Sequence, residues 1–191
     1  MRFVLHLLAT VAVALAIGFG LSWFALTDGR LFGAFQFGPW ASWPQAGSHT
    51  PDPYTRAHLA RDGRLQLGQS EGLQFTATAD SQGQPLTRNC RYRLTGRTPV
   101  ASFWTLVAVD AEGVNIARPD AEAALNSARI SRQPDGTLLV YIGKTLSPQN
   151  WLEITGEGPF ALSLTLYDTA VFGGLGPSVD AMPAIEREAC L

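Results

Sequence analysis

From Phe3 to Thr27 the chain carries no Asp, Glu, Lys or Arg, and His6 is the only ionisable side chain of the run. This segment limits the fold and its surroundings more than any other feature. As a helix it would rise roughly 37 Å at about 1.5 Å per residue, against a bilayer hydrocarbon core of about 30 Å. No other stretch approaches it in length or apolarity. Arg2 precedes the run, Asp28 and Arg30 follow it, and Trp23 and Phe24 fall near its far end. That thin charge bias favours a cytoplasmic N-terminus, with aromatics at the opposite interface. Residues 1–27 are therefore predicted as a transmembrane helix or signal anchor. The competing reading is a cleaved signal peptide, for which Ala16 and Gly18, or Gly18 and Gly20, supply the small-residue spacing. Cleavage there would leave Leu21 to Leu26 exposed, so the uncleaved anchor is preferred. Either reading exports the remainder. His6 reads as a tolerated polar residue near the helix start.

The remainder of the 191-residue chain is enough for one ordinary domain with its own core. The net charge is −2, and the 14 basic residues, all arginine except Lys144, are scattered. A nucleic-acid surface would need them clustered, so no nucleic-acid partner is predicted. The 19 Gly and 12 Pro recur as turn punctuation and predict many short elements. Cys90 and Cys190 are the two cysteines. In an oxidising compartment they predict one disulfide. A closed loop of about 100 residues stabilises by up to about 4.7 kcal/mol in the chain-entropy model.

Residues 28–50 are rich in Gly, Pro and aromatics (Gly33, Phe35, Phe37, Gly38, Pro39, Trp40, Trp43, Pro44) and read as a connector whose rings pack rather than flex. The domain proper is placed at 51–191. Asp52-Pro53 has the form of an N-cap followed by Pro at N1, predicting a short helix from 53 to about 60. Alternation predicts strands at Leu65 and Leu67, at Leu73, Phe75 and Ala77, and at Tyr92 and Leu94. The apolar run Ala101 to Val109 reads as a strand buried on both faces, and 120–125 as a short helix. Ala128 to Ser131 and Thr137 to Ile142 flank Pro134-Asp135-Gly136 as a hairpin. Trp151 opens a further strand. Phe160 to Leu166 is the clearest strand, and the Gly- and Pro-bearing tail reads as irregular. The spacing predicts an antiparallel β-sandwich or jelly-roll with one or two short helices.

Little of this is catalytic in pattern. Gly173-Gly174-Leu175-Gly176 lacks the context of a nucleotide loop, and no Gly-x-Ser-x-Gly elbow occurs. His6, His49 and His58 share no ligand spacing, so neither metal nor cofactor is predicted. More unusual are three aromatic-polar clusters: Asp52-Pro53-Tyr54-Thr55-Arg56, Ser102-Phe103-Trp104-Thr105 and Asn150-Trp151. The bland reading is that Asp52 caps a helix and the rings fill the core. The sharper reading is one shared cleft, with Tyr54, Trp104 and Trp151 as apolar wall and Arg56 or Asn150 fixing a polar ligand.

The same clusters resemble the bacterial family called domain of unknown function 1214. Asp52-Pro53-Tyr54-Thr55-Arg56-Ala57 is similar to its "DPY-x-RA" opening and Phe103-Trp104-Thr105 to its "FWS" strand. Asp135-Gly136, then Asn150-Trp151-Leu152, resemble its hairpin and "NWLP" signature, and Leu166-Tyr167 its closing "RLY". The order holds over residues 50–170. Glu153 stands where the family usually has Pro, Thr165 where it has Arg, and Asp168 follows Tyr167. The resemblance implies a β-sandwich or jelly-roll, often fused to or encoded beside a companion, domain of unknown function 1254. It implies no activity.

Together these readings predict a single-pass protein of the bacterial inner membrane, anchored through residues 3–27, with its C-terminal domain in the periplasm. Its expected role is a non-catalytic binding or accessory module, with a 1254-type protein as a possible partner. The alternatives are an envelope hydrolase or carbohydrate-active enzyme with an aromatic-lined cleft, and a small-ligand or lipid carrier.

Overall fold

The computed structural model describes residues 2–28, 33–63, 67–68, 70–169 and 182–190. The apolar run forms one helix, α1 (Arg2–Asp28). Its window of mean hydropathy 2.3 has none of its residues buried. In length and composition it suits a membrane anchor or a signal sequence.

The rest is mainly β. The strands are β1 (Phe35–Phe37), β2 (Trp40–Ser42), β3 (Gly72–Ala77), β4 (Cys90–Gly96), β5 (Ala101–Val109), β6 (Leu125–Asn126), β7 (Leu138–Gly143), β8 (Trp151–Glu153), β9 (Ala161–Thr169) and β10 (Ala184–Cys190), with α2 (Pro53–Asp62) between β2 and β3. They form two open sheets, ordered β1-β2-β3-β9-β5-β6 and β10-β4-β7-β8. One core joins them: Phe75, Trp104, Leu106, Leu162 and Leu164 from the larger sheet, and Tyr92, Leu94, Val140, Ile142 and Ile185 from the smaller. Each such side chain contributes about 1.5–3 kcal/mol by leaving water. The arrangement is a β-sandwich.

Several elements depart from the sequence reading. Residues 35–42 are not a connector but a hairpin at the edge of the larger sheet. Gly38, at φ 58, turns the chain between Phe37 and Trp40, a first-position glycine suited to a two-residue hairpin. Trp40 is fully buried, and its Nε1–H donates to the carbonyl of Pro183 at 2.7 Å, tying that sheet to the approach of β10. The domain therefore begins before residue 51. No helix forms at 120–125, where a turn leads into β6. Residues 128–131 form no strand, 128 and 129 being turn, and only Arg132 bridges to Leu138 across the Pro134-Asp135-Gly136 turn. The tail contains a strand where the sequence reads as irregular: β10, antiparallel to β4. The glycines at 173–176 and Leu65 lie outside the described residues. β5 is fully buried on one face only: Trp104, Leu106 and Ala108 point inward, while Phe103 is 37% exposed. The sandwich is also not wholly antiparallel, because β8 pairs parallel to β7.

Candidate functional site

The parallel β7–β8 pair sets up a surface cleft. Parallel neighbours usually need a crossover of a dozen or more residues. Here β7 ends at Gly143 and β8 starts at Trp151, with Tyr141 opposite Trp151. So tight a return needs its polar groups fixed, and Asn150 fixes them. Its Nδ2 donates to the carbonyls of Ser131 and Leu139, each at 2.7 Å, and its Oδ1 accepts the Ser131 N–H at 2.8 Å. The Trp151 Nε1–H donates to the Gly143 carbonyl at 3.1 Å. The carboxamide is thus committed to the loop. Asn150→Asp would set a carboxylate against two carbonyl oxygens and should lower stability by about 2–3 kcal/mol. Thermal unfolding checks this, and a wild-type midpoint would remove the clamp from the account.

Held this way, the Trp151 ring and Leu146, which is 72% exposed, divide two clefts. One, of about 590 Å³, also takes in Arg118, Lys144, Glu153 and Glu157. The other, of about 440 Å³, takes in Asn150, Arg129, Glu122 and Gln133. Glu153 is only 6% exposed, and its Oε1 accepts Arg118 Nε–H at 2.8 Å. A buried carboxylate needs such a partner. Thr155 positions that partner's segment, its hydroxyl donating to the Ile116 carbonyl at 2.6 Å. The first cleft therefore offers an aromatic wall, an ion-paired carboxylate and an exposed ammonium, a combination suited to holding a polar ligand by one apolar face and several charged groups.

The five ligand residues expected from the sequence divide. Asn150 and Trp151 share one cleft. Trp104 is 2% exposed and lies in the core on the inward face of β5, because the period of two that buries Leu106 and Ala108 buries it as well. Tyr54, 46% exposed, and Arg56 lie on α2 and line neither Trp151 cleft. Asp52 caps α2: its Oδ1 accepts the N–H groups of Tyr54 and Thr55 at 3.0 and 3.1 Å. The Thr55 hydroxyl first, then the Thr55 N–H, hold its carboxyl below the usual range. His58 stacks on Trp43 with ring centroids 4.5 Å apart, and His49 is exposed. Among the described residues no three His, Cys, Asp or Glu side chains group around a possible ion. Cys90 and Cys190 are bonded to one another. Arg118, Lys144 and Glu153 join the site although no motif marks them. The one signal for them is Glu153 itself, a charge set between Leu152 and Ile154 in an otherwise apolar strand.

A sequence model of the family described as protein of unknown function, DUF1214, matches residues 71–171, from β3 through β9. That span holds Trp104, Asn150 and Trp151 but not the Asp52 cluster. The crystal structure of the VPA0106 protein from Vibrio parahaemolyticus superposes with TM-score 0.55 at 19% identity, covering 71% of this chain and 35% of that one. A putative uncharacterized protein from Burkholderia cenocepacia gives TM-score 0.48 at 17% identity, covering 93% of this chain and 52% of that one. The chain thus spans about a third and a half of their lengths. The first likeness agrees with the two-sheet fold. No curated protein matches.

Proposed function

The chain belongs to the DUF1214 family, proteins of unknown function, and we propose that it is a membrane-anchored binding module of the bacterial envelope. In this reading α1 spans the inner membrane once and the sandwich stands in the periplasm. The module is non-catalytic and works with a partner, a 1254-type protein being the candidate. The anchor is supported by α1, whose large apolar side chains, Phe3, Leu5, Phe19 and Leu21 among them, are exposed on every side. Each would gain roughly 1.5–3 kcal/mol by leaving water. Near its far end Trp23 lies under the Arg61 guanidinium, 5.2 Å from the ring centroid, an arrangement suited to a headgroup region.

The observation that carries the binding reading is the Trp151 cleft. It presents an aromatic wall on a pinned loop, and its buried carboxylate already has Arg118 as its partner.

The test has two arms. Carbonate-washed membranes should retain the intact 20.5 kDa chain, and protease added to spheroplasts should remove the domain; protection there would overturn the topology. Affinity capture from detergent-solubilised membranes should retain a 1254-type protein, with recovery falling about tenfold for Trp151→Ala if the cleft is an interface anchor. Equal recovery with both forms would overturn its role as a partner site.

A further inference from the structure

We propose that the hollow beside the Cys90–Cys190 disulfide binds a phosphate group, a site that shares Lys144 but not Trp151 with the first Trp151 cleft and goes beyond the binding-module reading. The hollow, of about 240 Å³, lies where the start of β4, the end of β7 and the end of β10 meet. Arg88, Arg91 and Lys144 line it with Asn89, Thr145 and the disulfide, and no Asp or Glu among the described residues does. In a chain with 16 acidic and 14 basic residues this is not the background composition.

The three cations reach the hollow for different reasons. Arg91 on β4 has small residues on both flanks: Ala189 is its partner on β10, and on β7 a Cβ added at Gly143 would lie 3.5 Å from Arg91 Cγ. The arginine stem therefore lies over a glycine, and its head is uncrowded. Lys144 directly follows that glycine. Both side chains are exposed, and neither is ion-paired among the described residues. Arg88 is fixed from two sides, its N–H donating to the Gly158 carbonyl at 2.9 Å and its Nη1 to the Thr155 carbonyl at 3.3 Å. Yet its Nε is buried with no acceptor among the described residues. A buried donor without an acceptor is uncommon and destabilising, but an atom out of reach of a water-sized probe is out of reach of an anion oxygen, so the anion's direct contacts fall to the exposed Arg91 and Lys144 heads.

The ligand's charge is set by the count of cations. Three suit a dianion better than a carboxylate, and tetrahedral oxygens can accept from guanidinium, ammonium, Thr145 hydroxyl and Asn89 amide on several sides. A water occupies about 30 Å³ in the liquid, so the hollow has room for a phosphate group with atoms attached to it. Free phosphomonoesters and lipid headgroups present the same chemistry.

The full chain, reconstituted in phosphatidylcholine nanodiscs, should bind inorganic phosphate saturably by calorimetry, more weakly as salt rises. Arg91→Gln and Lys144→Gln should each weaken binding roughly tenfold. Trp151→Ala should leave it unchanged, so that failure of this site and failure of the Trp151 reading are distinguishable. Repeating the titration with phosphatidic acid in the disc identifies the source. An increased apparent Kd means the headgroup occupies the site, and an unchanged one means a soluble phosphate does; either result supports the assignment. Absence of saturable binding in phosphatidylcholine discs, or wild-type affinity in both substituted forms, overturns it.

Discussion

Replacing Gly72 by alanine should destabilise the domain by about 3–4 kcal/mol, combining overpacking with weakened ladder bonds. The reason is steric and local. A Cβ at Gly72 would lie 2.0 Å from the Leu166 carbonyl oxygen and 2.7 Å from Leu67 Cδ2. Leu166 has little freedom to withdraw. It is fully buried on β9, the strand between β3 and β5, and is paired with Leu73 on one side and Trp104 on the other. One residue beyond Tyr167, the Asp168 N–H donates to the Glu71 carbonyl at 2.9 Å, which holds the two strands together at this end. Relief would have to come from moving β3 itself, at the expense of its pairing with β9. The thermal midpoint should fall by about 10 °C for a domain of this size. Gly83→Ala separates steric from conformational cost. Gly83 sits at φ 79 with open space where a Cβ would go, so alanine there should cost only about 1 kcal/mol. Equal losses at the two positions would contradict the close-approach account.

The same strands show what the sequence discloses and what it hides. β3 and β9 are legible because Leu73, Phe75 and Ala77, and Leu162, Leu164 and Leu166, recur with the period a half-buried strand requires. β10 is not, since Ile185 is its one fully buried side chain and the charged run Glu186, Arg187 and Glu188 follows it, with Arg187 turned toward Asp80. It is an edge strand, and charges on an edge discourage pairing with other chains while removing the alternation that marks a strand. β1 and β2 are hidden by length, three residues each, inside a stretch whose Gly and Pro read as a connector.

The site shows a different limit. Asn150 and Trp151 stand out as residues, but their hydrogen bonds to Ser131, Leu139 and Gly143 depend on a parallel return that nothing local announces. Trp104 stands out for the same reason and lies in the core, because aromatic character alone does not distinguish a wall from an interior. The Arg118–Glu153 pair joins residues 35 positions apart. The hollow beside the disulfide draws on β4, β7 and β10 together. Juxtapositions of that kind belong to topology, not to spacing.

Breaking the Cys90–Cys190 bond should lower stability by about 3–4 kcal/mol while leaving the native fold in place. The ceiling for a closed loop of this size is about 4.7 kcal/mol, the two cysteines being 100 positions apart. The native state should survive because most of β10 is held by other means. Ile185 is fully buried, its carbonyl accepts the Ser81 N–H at 2.8 Å, and its own N–H donates to Ser81 Oγ at 2.9 Å. Arg187 Nε lies 3.1 Å from the buried Asp80 carboxylate. The pairing register then shifts between Arg187 and Ala189, so the cysteines close only the last, exposed stretch of the β10–β4 pair. The bond's effect therefore falls on the unfolded chain. In Cys90→Ser/Cys190→Ser the denaturant midpoint should drop with little change in near-ultraviolet dichroism. Hydrogen exchange should quicken at Glu188 to Cys190 while Ile185 stays protected. An unchanged midpoint would mean that the cross-link adds nothing to the unfolded-state cost. Loss of Ile185 protection would mean that the disulfide, and not the Ser81 and Asp80 contacts, holds β10 to the sandwich. It would also reach the larger sheet, because Trp40 donates to Pro183 just before β10 begins.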